Sequence, residues 1–88
     1  MLTVVSVDDV DEAIKVANNT CCGLASAVWT DDFATAHKVS KGIQVGLVYV
    51  NCYDCNDMIT PFGGYKESGI GRDKSLHALD KYVEFKTT

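Results

Sequence analysis

Four cysteines are the side chains of this sequence best suited to chemistry, since a thiolate is both a nucleophile and a metal ligand. They form two pairs, the adjacent Cys21 and Cys22 and the spaced Cys52-x-x-Cys55. A zinc site needs four well-spaced ligands, and Cys21 and Cys22 are poorly spaced to complete one with the other pair. A redox CxxC usually opens a helix, whereas this one follows a predicted strand and enters a loop. We therefore expect no metal site and no redox pair.

The N-terminal residues carry no export signal, which bears on the state of these thiols. The apolar residues 2–7 have no basic segment before them and are followed by Asp8 and Asp9, unlike a secretory signal peptide. An even number of cysteines is also typical of disulfide-linked secreted domains. Without an export signal, we expect a cytoplasmic protein whose four thiols stay reduced.

Residues 61–73, PFGGYKESGIGRD, hold the only proline and four of the seven glycines. A Walker A loop fails here because Ile70 follows Gly69, where the motif needs lysine. A Rossmann fingerprint begun by Gly69-Ile70-Gly71 fails because Lys74 stands at the third glycine position. Two interpretations stay open. The glycines either permit positive φ in tight turns or let the backbone approach a ligand.

This glycine-rich loop offers no recognisable catalytic pair. Ser68 has no histidine near it in the sequence, and His77 follows only on the next predicted helix. Nothing pairs a nucleophile with a base, and no two carboxylates form a dyad. The residues alone therefore indicate an α/β protein with a structural loop.

The strands around the loop are predicted from hydrophobic patterning. Residues 2–7, 24–29 and 44–51 are apolar or β-branched runs typical of strands, and the last is apolar enough for a strand covered on both faces. Residues 82–87 alternate in polarity and predict a final strand. Because helical patterns separate these strands, the order favours an α/β fold with parallel pairing.

Three helices are predicted between the strands. An apolar stripe at i, i+3, i+4 and i+7 begins at Val10, after an aspartate pair at 8–9 that offers an N-cap. Thr30 is predicted to cap the second helix, which Gly42 ends. Asp73 is predicted to cap a short third helix.

Size and charge exclude several classes of protein. A chain of 88 residues is one domain at most, and 47% apolar with 23% charged residues argues against global disorder. The net charge of −4 without a basic cluster argues against a nucleic-acid partner. No apolar run is long enough to cross a membrane, so we expect no membrane partner.

The run PFGGYKESGIGR at residues 61–72 resembles a motif of the NAD(P)-dependent aldehyde dehydrogenases, and the resemblance covers essentially all 88 residues. The longer stretch DMITPFGGYKESGIGRDKSLHALDKY most resembles the γ-glutamyl-γ-aminobutyraldehyde dehydrogenases of putrescine breakdown. Cys21 and Cys22 depart from the family, which commonly has an aromatic residue before the Gly-Leu pair. The resemblance implies a partial α/β fold: the βαβαβ end of a parallel catalytic-domain sheet, a Gly-rich loop, a short helix and a C-terminal oligomerisation strand.

The resemblance also implies roles for parts of the chain. Residues 1–73 would be the C-terminal part of the catalytic domain, with a substrate-tunnel loop at 52–73, and residues 74–88 would carry the short helix and the oligomerisation strand. The implied substrate-tunnel residues are Phe62, Tyr53 and Met58. The implied structural positions of the loop are Pro61, Gly63, Gly64, Gly69 and Gly71. The implied oligomerisation residues are Tyr82, Val83, Glu84, Phe85 and Lys86.

In this family the catalytic cysteine, the general-base glutamate and the cofactor domain would lie upstream of Met1. The resemblance thus implies a C-terminal segment with no catalytic residue and no cofactor of its own. Its parent would use NAD or NADP to oxidise an aldehyde substrate to a carboxylate through a cysteine thiohemiacetal. We expect homo-oligomers through the last strand. The alternative is a stand-alone truncated product that acts only as a structural or association module.

Overall fold

The computed structural model describes residues 1–88, which form two α-helices, four short strands and one 3₁₀ turn. In chain order these are α1 (Val10–Asn18), β1 (Cys22–Gly23), β2 (Ala25–Val28), α2 (Phe33–Gly42), β3 (Leu47–Val50), β4 (Tyr65–Lys66) and the 3₁₀ turn (Leu76–Leu79). The strands make two separate pairs: β2 with β3, and β1 with β4.

The unit β2–α2–β3 confirms the parallel pairing that the sequence predicts. The two strands run in register from Ala25 opposite Leu47 to Val28 opposite Val50. Asn51 extends this pairing, because its side chain accepts from the Thr30 N–H at 2.8 Å and donates to the Thr30 carbonyl at 2.9 Å. The predicted strands at 24–29 and 44–51 are confirmed, although each is shorter than its apolar run.

Helix α1 begins where the aspartate pair predicts it. The Asp9 carboxylate accepts from the Glu12 N–H at 2.8 Å, and the Glu12 carboxylate accepts from the Asp8 N–H at 2.8 Å. This reciprocal arrangement resembles a capping box and satisfies amides that the first turn leaves free. At the other end, the Lys66 ammonium donates to the carbonyls of Asn18 and Thr20, at 3.0 and 3.1 Å. Lys66, which is distant in sequence, therefore supplies hydrogen bonds to carbonyls at and just beyond the C-terminal end of α1.

The cap of α2 differs from the prediction. Asp32, not Thr30, is the N-cap, since its carboxylate accepts from the Thr35 N–H at 2.8 Å. The Thr30 hydroxyl accepts instead from the Asp32 N–H at 3.1 Å, which forms a turn ahead of the helix. Gly42 is the last residue of α2, as predicted.

Acid is expected to weaken the start of α2. Hydrogen bonds from the Thr35 hydroxyl and then the Thr35 N–H hold the pKa of Asp32 below its ordinary 3.8. The lowered pKa means that this stabilisation is complete above pH 3.8 and is lost as the pH falls through the folded-state pKa. Far-ultraviolet circular dichroism during acid titration measures the loss. Asp32→Asn keeps an acceptor oxygen but cannot titrate there, so an identical acid transition in this variant would contradict the assignment.

The two terminal strands predicted from the sequence are wrong for this chain. Residues 2–7 and 82–87 join no strand pair and belong to no helix. A strand forms only where a neighbour supplies its hydrogen bonds, and these segments lie exposed, with Leu2 and Phe85 each 87% accessible. Neither an apolar run nor alternating polarity was therefore sufficient.

The prediction for the third helix also needs correction. It is a 3₁₀ turn of four residues capped by Ser75, whose hydroxyl accepts from the His77 N–H at 3.2 Å. Asp73 is not the cap, because its backbone bonds to Phe62 and its carboxylate pairs with Lys81. No helix in the structure is both long and apolar enough to cross a membrane.

The chain has very little core of its own. Val39 and Tyr49 are the only buried hydrophobic residues. The Cα radius of gyration is 15.8 Å, whereas a compact chain of this length has about 12 Å. The third predicted strand, expected to be covered on both faces, ends in the exposed Val50. The fold is thus an open α/β layer whose apolar side chains largely lack cover.

Candidate functional site

The glycine-rich loop closes on itself through an antiparallel bridge. Phe62 and Asp73 form this bridge. The Phe62 N–H donates to the Asp73 carbonyl at 2.8 Å, and the Asp73 N–H donates to the Phe62 carbonyl at 2.6 Å. Both ends of the segment 63–72 are therefore fixed at one point, and Phe62 lies at that point.

Arg72 fastens the interior of the loop. One of its Nη atoms donates to the Gly64 carbonyl at 3.0 Å and to the Gly71 carbonyl at 2.8 Å. Its guanidinium carbon lies 5.5 Å from the centre of the Tyr65 ring, a cation–π distance. Carbonyls of the loop itself, rather than a carboxylate, therefore accept the hydrogen bonds of this arginine.

The glycines of the loop divide into two kinds. Gly69 and Gly71 have φ of 114° and 99°, which confirms the interpretation that glycines permit positive φ in turns. Gly63 and Gly64 have no positive φ, but a Cβ on Gly64 would lie 2.6 Å from the Ser68 Cβ. These two glycines are needed because the arms of the loop pack closely.

The loop borders a small cleft of about 210 Å³. Leu24 and Lys81 line it together with residues 62–64 and 68–73. Phe62 is half-buried there, and the Lys74 ammonium lies 5.7 Å from its ring centre. The ring thus lies between a glycine-lined cleft and a cation.

Met58 lies at a different cavity. An open hollow of about 600 Å³ is lined by Met58, Ile59, Pro61, Ser75, Leu76 and His77. Its shape depends on the Ser75 N–H, which donates to the Met58 carbonyl at 2.8 Å. Met58 is itself 72% exposed.

Tyr53 lies apart from both cavities. It is 69% exposed, and its ring is tilted against Tyr49 at 5.7 Å between centroids. The Tyr49 hydroxyl donates to the Asn56 side chain at 2.8 Å. The structure therefore brings Pro61 and Met58 to one hollow and Phe62 to a neighbouring cleft, but does not join Tyr53 to them. Their role as tunnel residues stays a prediction.

Ser68 and His77 make structural contacts in this region and do not form a catalytic pair with each other. The Ser68 hydroxyl accepts from the Gly23 N–H at 2.9 Å, which ties the loop to β1. The His77 Nδ1 lies 3.6 Å from the exposed Asp80 carboxylate. Neither contact joins a nucleophile to a base, as acyl transfer or hydrolysis would need.

The four cysteines are free thiols in the structure. Desolvation and then the hydrogen bond with Cys55 raise the pKa of Cys52 above its ordinary value. A raised pKa leaves less thiolate at neutral pH, which disfavours Cys52 as a nucleophile.

The loop does not fit a dinucleotide cofactor. Such a site places a glycine-rich turn between a strand and a helix N-terminus, so that free amides face the pyrophosphate. Here the turn at 69–71 leads into the Phe62–Asp73 bridge, and the next element is only the four-residue 3₁₀ turn. The glycine-rich loop therefore lacks the arrangement of a dinucleotide-binding turn.

Gly46 is a position that the sequence reasoning missed. Its N–H donates to the Gly23 carbonyl at 3.1 Å, and a Cβ built on it would collide with the Gly63 carbonyl. Gly46 thus lets the start of β3 touch the glycine-rich loop. A glycine inside an otherwise apolar run, as in Gln44-Val45-Gly46-Leu47, is the signal that indicates such a close approach.

Comparison with known proteins gives a consistent result. A family model described as "Aldehyde dehydrogenase family" matches residues 1–88. The NADP/NAD-dependent aldehyde dehydrogenase PuuC of Escherichia coli K12 is 53% identical over 77 residues, which are 88% of this chain and 16% of PuuC. The chain thus spans about a sixth of that relative's length.

Solved structures agree with the sequence match. An indole-3-acetaldehyde dehydrogenase in apo form superposes with a TM-score of 0.95 at 53% identity, over 100% of this chain and 21% of that one. A γ-glutamyl-γ-aminobutyraldehyde dehydrogenase from Burkholderia cenocepacia superposes with a TM-score of 0.88 at 63% identity, over 93% of this chain and 17% of that one. The small fold is therefore found as part of much longer chains.

Proposed function

The chain belongs to the aldehyde dehydrogenase family, and we propose that it is the C-terminal segment of an enzyme that oxidises aldehydes to carboxylates with NAD+ or NADP+. The observation that carries this proposal is the family match over all residues 1–88. The nucleophilic cysteine and the cofactor site would lie in the rest of the parent. We infer an amino or amido aldehyde as substrate, from the resemblance of residues 57–82 to the γ-glutamyl-γ-aminobutyraldehyde dehydrogenases.

Within that parent, the segment would contribute a wall of the aldehyde tunnel. Three features support this: the half-buried ring of Phe62, the fixed loop beneath it and the apolar hollow at Met58 and Pro61. An aliphatic aldehyde needs an apolar, shaped passage, with few polar groups to compete for its carbonyl. Tyr53 would belong to the entrance at 52–60.

Residues 82–86 would contribute a subunit contact. They lie beyond the 3₁₀ turn, make no strand pair within the chain and expose Tyr82 by 78% and Phe85 by 87%. An unpaired extended segment with apolar side chains is suited to joining the sheet edge of a second subunit. We infer homo-oligomers formed through this segment.

A second candidate is a structural or association module without catalysis. The observation that favours it is the near absence of a core, since only Val39 and Tyr49 are buried hydrophobics while Trp29 and Phe33 lie 65% and 85% exposed. A chain of this kind lowers its free energy by covering apolar surface with another protein. The two candidates agree that the 88-residue chain alone catalyses nothing.

The isolated chain is expected to show no reduction of NAD+ or NADP+ with any aldehyde, because it forms no nucleophile–base pair and its glycine-rich loop lacks the arrangement of a dinucleotide-binding turn. A chimera that carries this chain in place of the matching segment of PuuC is expected to oxidise an amino aldehyde. Absorbance of the reduced cofactor measures both. Turnover that follows the purified 88-residue chain would overturn the proposal, and a folded but inactive chimera would favour the association module.

The place of the segment within the parent can be tested separately. Aligning the chain along full-length PuuC is expected to match the last sixth of that protein, with the 61–72 run close to its C-terminus. A match to the first sixth would overturn the C-terminal assignment and leave the family membership intact.

A further inference from the structure

The adjacent thiols of Cys21 and Cys22 lie side by side on the surface. Their Sγ atoms are 3.9 Å apart, and both residues are exposed. The Cys22 thiol and then the Glu67 side chain raise the pKa of Cys21, which is consistent with two thiols in direct contact. Neither the family comparison nor the glycine-rich loop assigns a role to this pair.

The geometry disfavours a disulfide bond between Cys21 and Cys22. Neighbouring Cα atoms across a trans peptide are about 3.8 Å apart, whereas disulfides usually join Cα atoms roughly 4.4–6.8 Å apart. The structure holds no cis peptide that would change this spacing. The two sulfurs would also have to approach each other from 3.9 Å to bonding distance within a strained ring.

The distance between the two Sγ atoms instead suits the binding of both sulfurs to one thiophilic atom. Two sulfurs bound to a tetrahedral centre at about 2.3 Å, as on zinc, stand roughly 3.8 Å apart. However, no group of three or more His, Cys, Asp or Glu residues is assembled to hold a metal ion. The geometry therefore favours a thiophilic centre that needs only two protein ligands and brings its third with it.

The backbone around the pair is already held in place. The Glu67 N–H donates to the Cys21 carbonyl at 3.0 Å, and the Cys22 N–H donates to the Thr20 hydroxyl at 3.2 Å. The Lys66 ammonium bonds the Thr20 carbonyl just before them. A chelating site whose backbone is fixed loses less conformational entropy when it binds.

We propose that Cys21 and Cys22 form a dithiol site that chelates trivalent monosubstituted arsenic compounds. With an arylarsine oxide, two As–S bonds form, both thiol protons pass to the oxide oxygen, and one water leaves, so arsenic stays trivalent. The carbon substituent is the third ligand. Because Cys22 pairs with Lys66 in the β1–β4 ladder, the site lies on the strand that anchors the glycine-rich loop.

The test uses phenylarsine oxide with the whole chain and two variants. Cys52→Ser/Cys55→Ser removes the other thiols, and adding Cys21→Ser and Cys22→Ser to it also removes the proposed site. Intact-mass spectrometry counts bound phenylarsenic in excess monothiol, and alkylation followed by peptide mapping identifies protected cysteines. Circular dichroism verifies that each variant keeps its secondary structure.

We expect one phenylarsenic group on Cys21 and Cys22 in the native chain and in Cys52→Ser/Cys55→Ser, released by a competing dithiol. Adding Cys21→Ser and Cys22→Ser to Cys52→Ser/Cys55→Ser is expected to weaken binding at least about tenfold, because the chelate is lost. Single replacement of Cys22 in that background should have the same effect. Loss of binding in Cys52→Ser/Cys55→Ser, or peptide mapping that leaves Cys21 and Cys22 unprotected in the native chain, would overturn the site. Neither result depends on the activity of a parent enzyme.

Discussion

Replacing Gly46 with alanine is expected to unfold much of this chain at room temperature. The added Cβ would collide with the Gly63 carbonyl, which is backbone and cannot rotate away. The start of β3 and the glycine-rich loop would have to separate, and the bond from the Gly46 N–H to the Gly23 carbonyl would be lost with them. Overpacking of this kind costs about 1–3 kcal/mol, a large part of the stability of so small a domain.

Thermal unfolding followed by circular dichroism measures this effect. Ile70→Ala is the matched control, since Ile70 is fully exposed at the tip of the same loop and its removal should change stability by less than about 0.5 kcal/mol. If Gly46→Ala melts at the temperature of the native chain, β3 and the loop do not touch as the structure describes.

Replacing Phe62 with alanine in the PuuC chimera is expected to lower kcat/KM for aldehydes roughly ten- to a hundredfold. Fully burying an aromatic side chain against an apolar partner is worth about 1.5–3 kcal/mol, and that energy would be lost from the transition state. Phe62 is the residue concerned because the bridge to Asp73 fixes its backbone at the closure of the loop.

Three variants separate a tunnel contact from a general loss of structure. Phe62→Leu keeps much of the apolar volume and should recover most of the activity. Ile70→Ala should leave the kinetic constants close to those of the chimera. A Phe62→Ala enzyme with unchanged kcat/KM across short and long aldehydes would remove Phe62 from the tunnel. A fall in kcat/KM that grows with the apolar size of the aldehyde would support direct contact.

The local elements of this fold could be predicted because their signals lie within one short segment. The stripe that begins at Val10, with Asp9 before it, was sufficient to locate α1, and two apolar runs were sufficient for the parallel pair β2 and β3. The end strands failed for the opposite reason. Residues 82–87 alternate like a strand, but a strand also requires a partner, and the chain provides none.

The site was predicted only in part, for a similar physical reason. Positive φ at Gly69 and Gly71 follows from their density in a turn-rich run. The contact between Gly46 and Gly63 joins residues far apart in sequence, so the glycine within an apolar run indicates a close approach at Gly46 but not its partner. The strands β1 and β4 have two residues each, which is too short for any periodicity. The family motif supplied the functional hypothesis that spacing alone did not.

The bridge between Phe62 and Asp73 makes the segment 63–72 a replaceable cassette. Both of its ends meet at one hydrogen-bonded pair, so a different sequence that keeps Gly63, Lys66 and Ser68 could be inserted without moving the flanking chain. The Phe62–Asp73 bridge holds the two ends together, so a new loop sequence would lose less conformational entropy on closing. Libraries built between these two residues would therefore vary the wall of a passage while its frame stays constant.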